Sequence, residues 1–402
     1  MTGECLRLMQ SSLYANINSA EQLFSGDLQI PDVNPGSTGM IPLPQGVLSY
    51  QSYSNTECWL TVSFALKNSC SWADAGHEIA WFQHQLNSQT LLLSRTLQRA
   101  NTTKLNITTT RQYLTISGAD FTLTFDKIHG LIHSWLSRGA PLLHTPESPQ
   151  ALVHLGFWRP PTDNDLAWQT KEWKHWGLDT LTTQLRSFNF EHASSGDIYV
   201  KTVTYVSPPV LAWGFHVETT YCVRNSGTVL MMAHIKPEGS APRNLPRAGW
   251  DLQLPKTVDH AVWFGLGPGE SYYDKQSAQK VGIYRASIDE LHTPYEVPQE
   301  NGNRMELRWV KILDERGIGF KATLTGSRSP ERFHFAVSKY SAAELERAAH
   351  GPELMEGDAI YLRLDAEVSG LGTGACGPGI KDQDLVKCGE MEFELVLEPV
   401  SA

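Results

Sequence analysis

Apolar and polar residues alternate with a period of two along much of this chain, which points to β-strands with one buried and one wet face. Phe121, Leu123 and Phe125 share one side of a run whose other side carries Thr122 and Thr124. From Phe215 to Val223, the apolar Phe215, Val217, Tyr221 and Val223 alternate with His216, Glu218 and Thr220. Met391, Phe393 and Leu395 alternate with Glu392 and Glu394 near the end. Such strands belong in antiparallel sandwiches. The 32 Gly and 22 Pro punctuate them at short intervals, which fits many turns and few long helices. Two stretches read as short helices. Ser341-Ala342-Ala343-Glu344 has the form of a capping box opening a helix through Leu345 and Ala348, and Trp168 to Trp176 forms the other.

At 402 residues the chain is too long for one ordinary domain. It turns Thr- and Asn-rich between Asn101 and Thr110, where a boundary is placed. Residues 1–100 then form one unit, 101–112 a linker, and 113–402 a single large antiparallel unit of two broad sheets. An immunoglobulin-type sandwich needs about seven strands. The first unit offers five, near Ser12–Ile17, Gln22–Ile30, Gly46–Tyr53, Cys58–Leu66 and Ile79–Leu86, so it reads as a partial immunoglobulin-like sandwich that begins partway through.

With 41% hydrophobic and 19% charged residues, the chain can bury a sizeable core. A formal net charge of −10 and the lack of any Lys/Arg-rich block argue against nucleic acid as a partner. No apolar run approaches the roughly 20 residues that span a bilayer. Glu4, Arg7, Gln10 and Asn16 interrupt the N-terminus, so no secretory signal is read there, and a cytoplasmic residence is expected. The six cysteines lack CxxC or paired spacing, which speaks against a zinc site or a disulfide framework. The 14 His show no HExxH, and neither metal nor cofactor is expected. The sequons at Asn101 and Asn106 read as polar linker.

Four stretches carry a resemblance. They are Phe157-Trp158-Arg159-Pro160-Pro161-Thr162-Asp163-Asn164-Asp165, Gly265 to Asp274 (GLGPGESYYD), Thr293 to Gly302 (TPYEVPQENG) and Gly370 to Pro378 (GLGTGACGP). In this order and spacing they resemble the small-chain domain of β-galactosidases of glycoside hydrolase family 2. Trp72 to Trp81 resembles the end of the immunoglobulin-like domain that precedes it there. The resemblance implies an all-β second domain of galactose mutarotase-like type. It also implies membership in an assembly hydrolysing terminal β-galactosides by a retaining route, whose two glutamates sit about 5–5.5 Å apart. In that family both glutamates lie on a (β/α)₈ barrel, and no strand–helix alternation of that kind is visible here. No catalytic residue is therefore assigned.

Substrate-binding candidates follow. Arg159, Asp163, Asn164 and Asp165 place a forked donor and three acceptor-rich side chains within seven residues, suited either to sugar hydroxyls or to a loop-stabilising network. Glu270 follows a Gly-Pro-Gly turn, and Glu300, Asn301 and Arg304 follow Pro298; structural roles compete with sugar contacts for all four. Mutarotases pair a His acid with a Glu base, and Glu300 would be that base, yet no His here falls in a recognisable mutarotase motif. Lys275 stands where the family often carries Arg, which weakens a bidentate contact there. Trp168, Trp173 and Trp176 could stack on a sugar or pack beneath a loop. The resemblance places Cys376 where the family's glycine-rich loop presents a Trp or Cys to the barrel; the alternative is a small residue in a turn. The expected partners are a galactoside or other small sugar and a barrel-bearing chain. A free-standing sugar-binding or aldose-epimerase-like protein, or an inactive remnant, are the alternatives.

Overall fold

The computed structural model describes residues 11–16, 21–45, 47, 57–86, 104–146, 152–324 and 331–401. The chain divides into two compact units, Met1–Ser94 with Lys280–Ile283, and the remainder.

In the first unit, Glu21–Gly26, Ser11–Asn16, Glu57–Ala65 and Glu78–Gln85 form one four-stranded antiparallel sheet in that order. Leu28, Val47, Leu60 and Val62 make its small buried cluster. Four of the five expected strands are present, the second ending at Gly26 rather than Ile30. The expected strand Gly46–Tyr53 lies outside the described residues apart from Val47, which is buried.

The second unit is all-β and antiparallel. A nine-stranded sheet runs from Thr182–His192 at one edge to Met391–Val400 at its middle, and on through Gly319–Thr323, Trp309–Asp314 and Val258–Gly267. A five-stranded sheet takes the order Val153–Gly156, Arg247–Leu254, Ile360–Val368, Phe333–Ser338, Arg304–Leu307. A third sheet is a meander from Asn106–Thr109 to Ala140–Pro141. Its first strand falls inside the stretch expected to be a linker: Ile107 faces Ile116 across the ladder, so the Thr-rich composition at 106–109 is that of a strand.

Aromatic contacts join the sheets across one core. Tyr221 of the nine-stranded sheet meets Trp250 of the five-stranded one at 6.4 Å and Phe125 of the meander at 5.2 Å between ring centroids. Trp263 meets Phe335 at 5.6 Å. Phe121, Leu123 and Phe125 are buried while Thr122 and Thr124 are half-buried, as the alternation requires. The last strand departs from that pattern. Glu394 is buried and Met391 only half-buried, although Glu392, on the same face as Glu394, is exposed.

The helix expected at Ser341 spans Ala342–Arg347, with Ser341 Oγ accepting from Glu344 N at 3.1 Å. Only half of the box forms. The Glu344 carboxylate turns instead to Arg347 and to the Met355 amide. The second helix spans Gln169–His175.

His334, on Phe333–Ser338, is 2% exposed and edge-on to Tyr273, and its Nδ1 faces the Glu306 amide. Burial pushes its pKa down to about 4 from 6.5. The folded state therefore resists a proton that the unfolded chain accepts below pH 6.5, so stability falls as pH drops from 6.5 towards 4. Between pH 7 and pH 5 this residue is expected to cost about 2 kcal/mol. Urea unfolding of the wild type and of His334→Gln at both pH values measures it, and an equal pH dependence in both would contradict it.

Candidate functional site

A cleft of about 670 Å³ opens in the second unit between two polar loops and a glycine-rich one. Asp163, Asn164, Asp274, Lys275, Tyr295 and Gln299 contribute to its walls, with Leu371, Gly372, Thr373, Ala375 and Pro378 along one side.

The glycine-rich loop is held by three side chains from elsewhere in the chain. Asp274 accepts from the Leu371 amide at 2.9 Å and the Gly372 amide at 2.7 Å. Asn164 uses both ends of its amide: Nδ2 donates to Gly372 O at 3.0 Å, and Oδ1 accepts from the Ala375 amide at 3.0 Å. Beneath them Arg159 donates to the carbonyls of Ser369 and Gly370, at 2.5 and 2.8 Å. Glycine is required where the loop closes on these partners. Gly372 has φ +64°, and a Cβ at Gly374 would stand 2.4 Å from Asn164 O. Cys376 sits at the exposed tip, its amide donating to Thr373 O at 3.1 Å.

Arg159 and Asp165 are fully buried and cannot reach a ligand. The Arg159 Nη2 straddles both Asp165 oxygens at 2.9 and 3.0 Å. Asp165 Oδ2 also accepts from the Thr162 amide, and Thr162 Oγ1 accepts from the Asp165 amide, a complete capping box on Asp163–Leu166. Trp173 lies 5.3 Å from the Arg159 guanidinium and is buried, so it packs under the loop. Trp176 packs edge-on to Trp213, while Trp168 is 66% exposed. Asp163 is exposed at the cleft and exchanges hydrogen bonds with Gln299 at 3.2 Å.

Glu270 is a hub. It accepts from Thr293 Oγ1 at 2.9 Å, from the Gly302 amide at 2.8 Å, and from Lys275 Nζ and the Tyr295 hydroxyl. Burial alone would raise its pKa, but these donors hold it below the usual carboxylate range. Lys275 serves here as a point charge, a role that needs no guanidinium. Glu300 is 2% exposed; Arg363 forks onto it at 2.6 and 2.5 Å, and the Tyr272 hydroxyl donates at 3.1 Å. Burial disfavours the Arg363 charge, yet Glu300 outweighs it and raises the Arg363 pKa. Asn301 accepts from the Thr293 amide and donates to Gln299 O. Arg304 is buried against the carbonyls of Leu291, Gly302 and Pro268, and burial pushes its pKa down to about 10 although Glu270 opposes the shift.

The candidates therefore gather around one cleft with two depths. Asp163, Asn164 and Cys376 are at the surface, and Arg159, Asp165, Glu270, Glu300 and Arg304 are buried behind it. Arg363, Asp274 and Gln299 belong to the same networks but were not among the sequence candidates. Asp274 and Gln299 lie inside the quoted stretches, and the missing signal was their distant partners, the Leu371 and Gly372 amides for Asp274 and Asp163 for Gln299. Among the described residues no group of three or more metal-ligating side chains occurs, and no helix is long and apolar enough to cross a membrane.

The chain is thus all-β, built of two antiparallel units, with a polar cleft under a clamped glycine-rich loop. The family model described as the β-galactosidase small chain matches residues 117–397, and that for domain 4 of β-galactosidase matches residues 9–87. The chain belongs to the β-galactosidase small-chain family. The β-galactosidase of Kluyveromyces lactis is 32% identical over 336 residues, covering 83% of this chain and 31% of that protein. That of Priestia megaterium is 27% identical over 369 residues, covering 90% and 34%. The chain thus spans about a third of the length of the curated relatives it matches. A crystal structure of an aldose 1-epimerase homologue from Escherichia coli overlays 74% of this chain at a TM-score of 0.40 and 14% identity, covering all of that chain. That likeness is loose, and the all-β assignment rests on the sheets themselves.

Proposed function

We propose that this chain is the non-catalytic C-terminal part, or small subunit, of a β-galactosidase that hydrolyses terminal non-reducing β-D-galactose residues. Its glycine-rich loop would form part of the wall of the galactose pocket, with Cys376 presented to a barrel on another chain or on a longer parent. The observation that supports this is the clamp itself. Asn164, Asp274 and Arg159 fix the backbone on the near side of the tip while leaving Cys376 exposed, which is how a loop is pre-organised to contact something outside its own domain. Asp163, exposed beside Gln299, would reach sugar hydroxyls from the cleft. Residues 1–100, by the same reading, are a partial immunoglobulin-like sandwich joined to the large domain. An epimerase-type acid–base pair finds less support in this cleft, since among the described residues no histidine lines it.

The purified chain alone should not turn over an aryl β-galactoside above background, because retaining hydrolysis needs a carboxylate nucleophile and an acid/base about 5–5.5 Å apart. Mixed with a β-galactosidase truncated before its immunoglobulin-like terminal domain, it should restore activity that neither part has, and co-elute on sizing chromatography. In the assembled enzyme, Cys376→Ala should change KM or kcat without changing assembly. A chain that stays monomeric in this mixture and epimerises free galactose unaided would reject the subunit reading.

A further inference from the structure

A second pocket, of about 310 Å³, lies over the five-stranded sheet on the face turned away from the core. The strand register builds its floor. His154 pairs with Asp251, Asp251 with Arg363, and Arg363 with Ala336, giving one cross-strand row. Gln253, Tyr361 and Ser338 form the next row. Residues directly opposite on one face of antiparallel strands stand about 4.5–5.5 Å apart, so the two rows make a continuous polar surface. An open sheet face would leave these side chains in bulk water. Here Trp158, Tyr340 and the helix Ala342–Arg347 rise around them, and Leu345 adds an apolar wall.

The charges on this floor are already matched. Arg247 pairs with Asp365 at 2.6 Å and with Asp251, and Arg363 forks onto Glu300. A phosphate or carboxylate ligand would have to displace a carboxylate that is in place, and an apolar ligand would cover the polar floor, the Gln253 amide and the Tyr361 hydroxyl included, without offering it hydrogen bonds. What remains is a neutral molecule with many hydroxyls and one apolar face, of a size suited to a cavity near 310 Å³. A pyranose has that character: hydroxyls for the floor, and a C–H face for Trp158 or Tyr340.

We infer that this pocket is a binding site for a neutral monosaccharide, separate from the cleft under the glycine-rich loop and backing onto it only at Glu300. Binding would be weak, about millimolar, as expected for a ligand of roughly a dozen heavy atoms. This inference does not depend on the subunit reading, since it concerns the chain's own fold. The test is titration of the full 402-residue chain with D-galactose, D-glucose and inorganic phosphate, followed by saturation-transfer NMR and tryptophan fluorescence. Saturable binding of at least one hexose, with no response to phosphate, is expected. Gln253→Ala and Tyr361→Phe should each weaken it by about tenfold, while their melting temperatures show that the fold is kept. Gln253→Ala tests the row remote from the Arg247 ion pairs, so a folding failure at one position leaves the other variant to decide. No saturable hexose binding, preferential phosphate binding, or hexose binding lost in Asp163→Ala but kept in Gln253→Ala would each overturn the assignment.

Discussion

Replacing Arg159 by alanine should lower the unfolding free energy by about 3–5 kcal/mol, the cost of stripping one partner from a buried ion pair. Both members are fully buried, so Asp165 would be left with only the Thr162 amide and its helix end as compensation. The carbonyls of Ser369 and Gly370 would lose their donor at the same time, and the glycine-rich loop its anchor. Arg159→Lys should not rescue the loss. One ammonium cannot replace two guanidinium nitrogens that together serve the Asp165 carboxylate and the carbonyls of Ser369 and Gly370. Urea unfolding measures the cost, and amide exchange at residues 369–378 should rise in both variants. A variant with an unchanged unfolding midpoint but lost galactose affinity would show that Arg159 serves a ligand instead of the fold.

How far such roles can be read from sequence depends on how local they are. Arg159 and Asp165 are six residues apart, and so their network was visible as a cluster, although its depth was not. The alternation at Phe121 to Phe125 and at Phe215 to Val223 gave strands with the correct faces, because each lies in a sheet with one covered side. It misjudged Glu394, which is buried although Glu392, two residues away on the same face, is exposed. Arg363 was passed over for a related reason. Between Leu362 and Leu364 it reads as a solvated position, yet its partner Glu300 is 63 residues away. The loop at Gly370 to Pro378 was legible by resemblance, but its clamps reach it from Asp274 and Asn164, 97 and more than 200 residues distant. Pairings of that range are set by topology, and a single sequence does not display them.

The Glu300–Arg363 pair offers the sharper energetic test, because its two members make opposite demands when separated. Glu300→Gln should cost about 3–5 kcal/mol, since a largely buried guanidinium is left facing a neutral amide. Arg363→Met should cost a similar amount, leaving a carboxylate that is 2% exposed with the Tyr272 hydroxyl as its remaining side-chain donor. The double variant removes both charges. It should therefore lose less than the sum of the singles, by about 2 kcal/mol or more, which is the coupling expected of side chains in direct contact. Denaturant unfolding of the four proteins gives the cycle directly. If the costs simply add, the two groups are not coupled and the fork is incidental. If instead Glu300→Gln keeps its full stability but abolishes the hydrolysis restored by complementation, Glu300 acts on the substrate. The geometry argues for coupling and a structural role: Glu300 is 2% exposed, and both its oxygens already accept hydrogen bonds, from Arg363 and Tyr272.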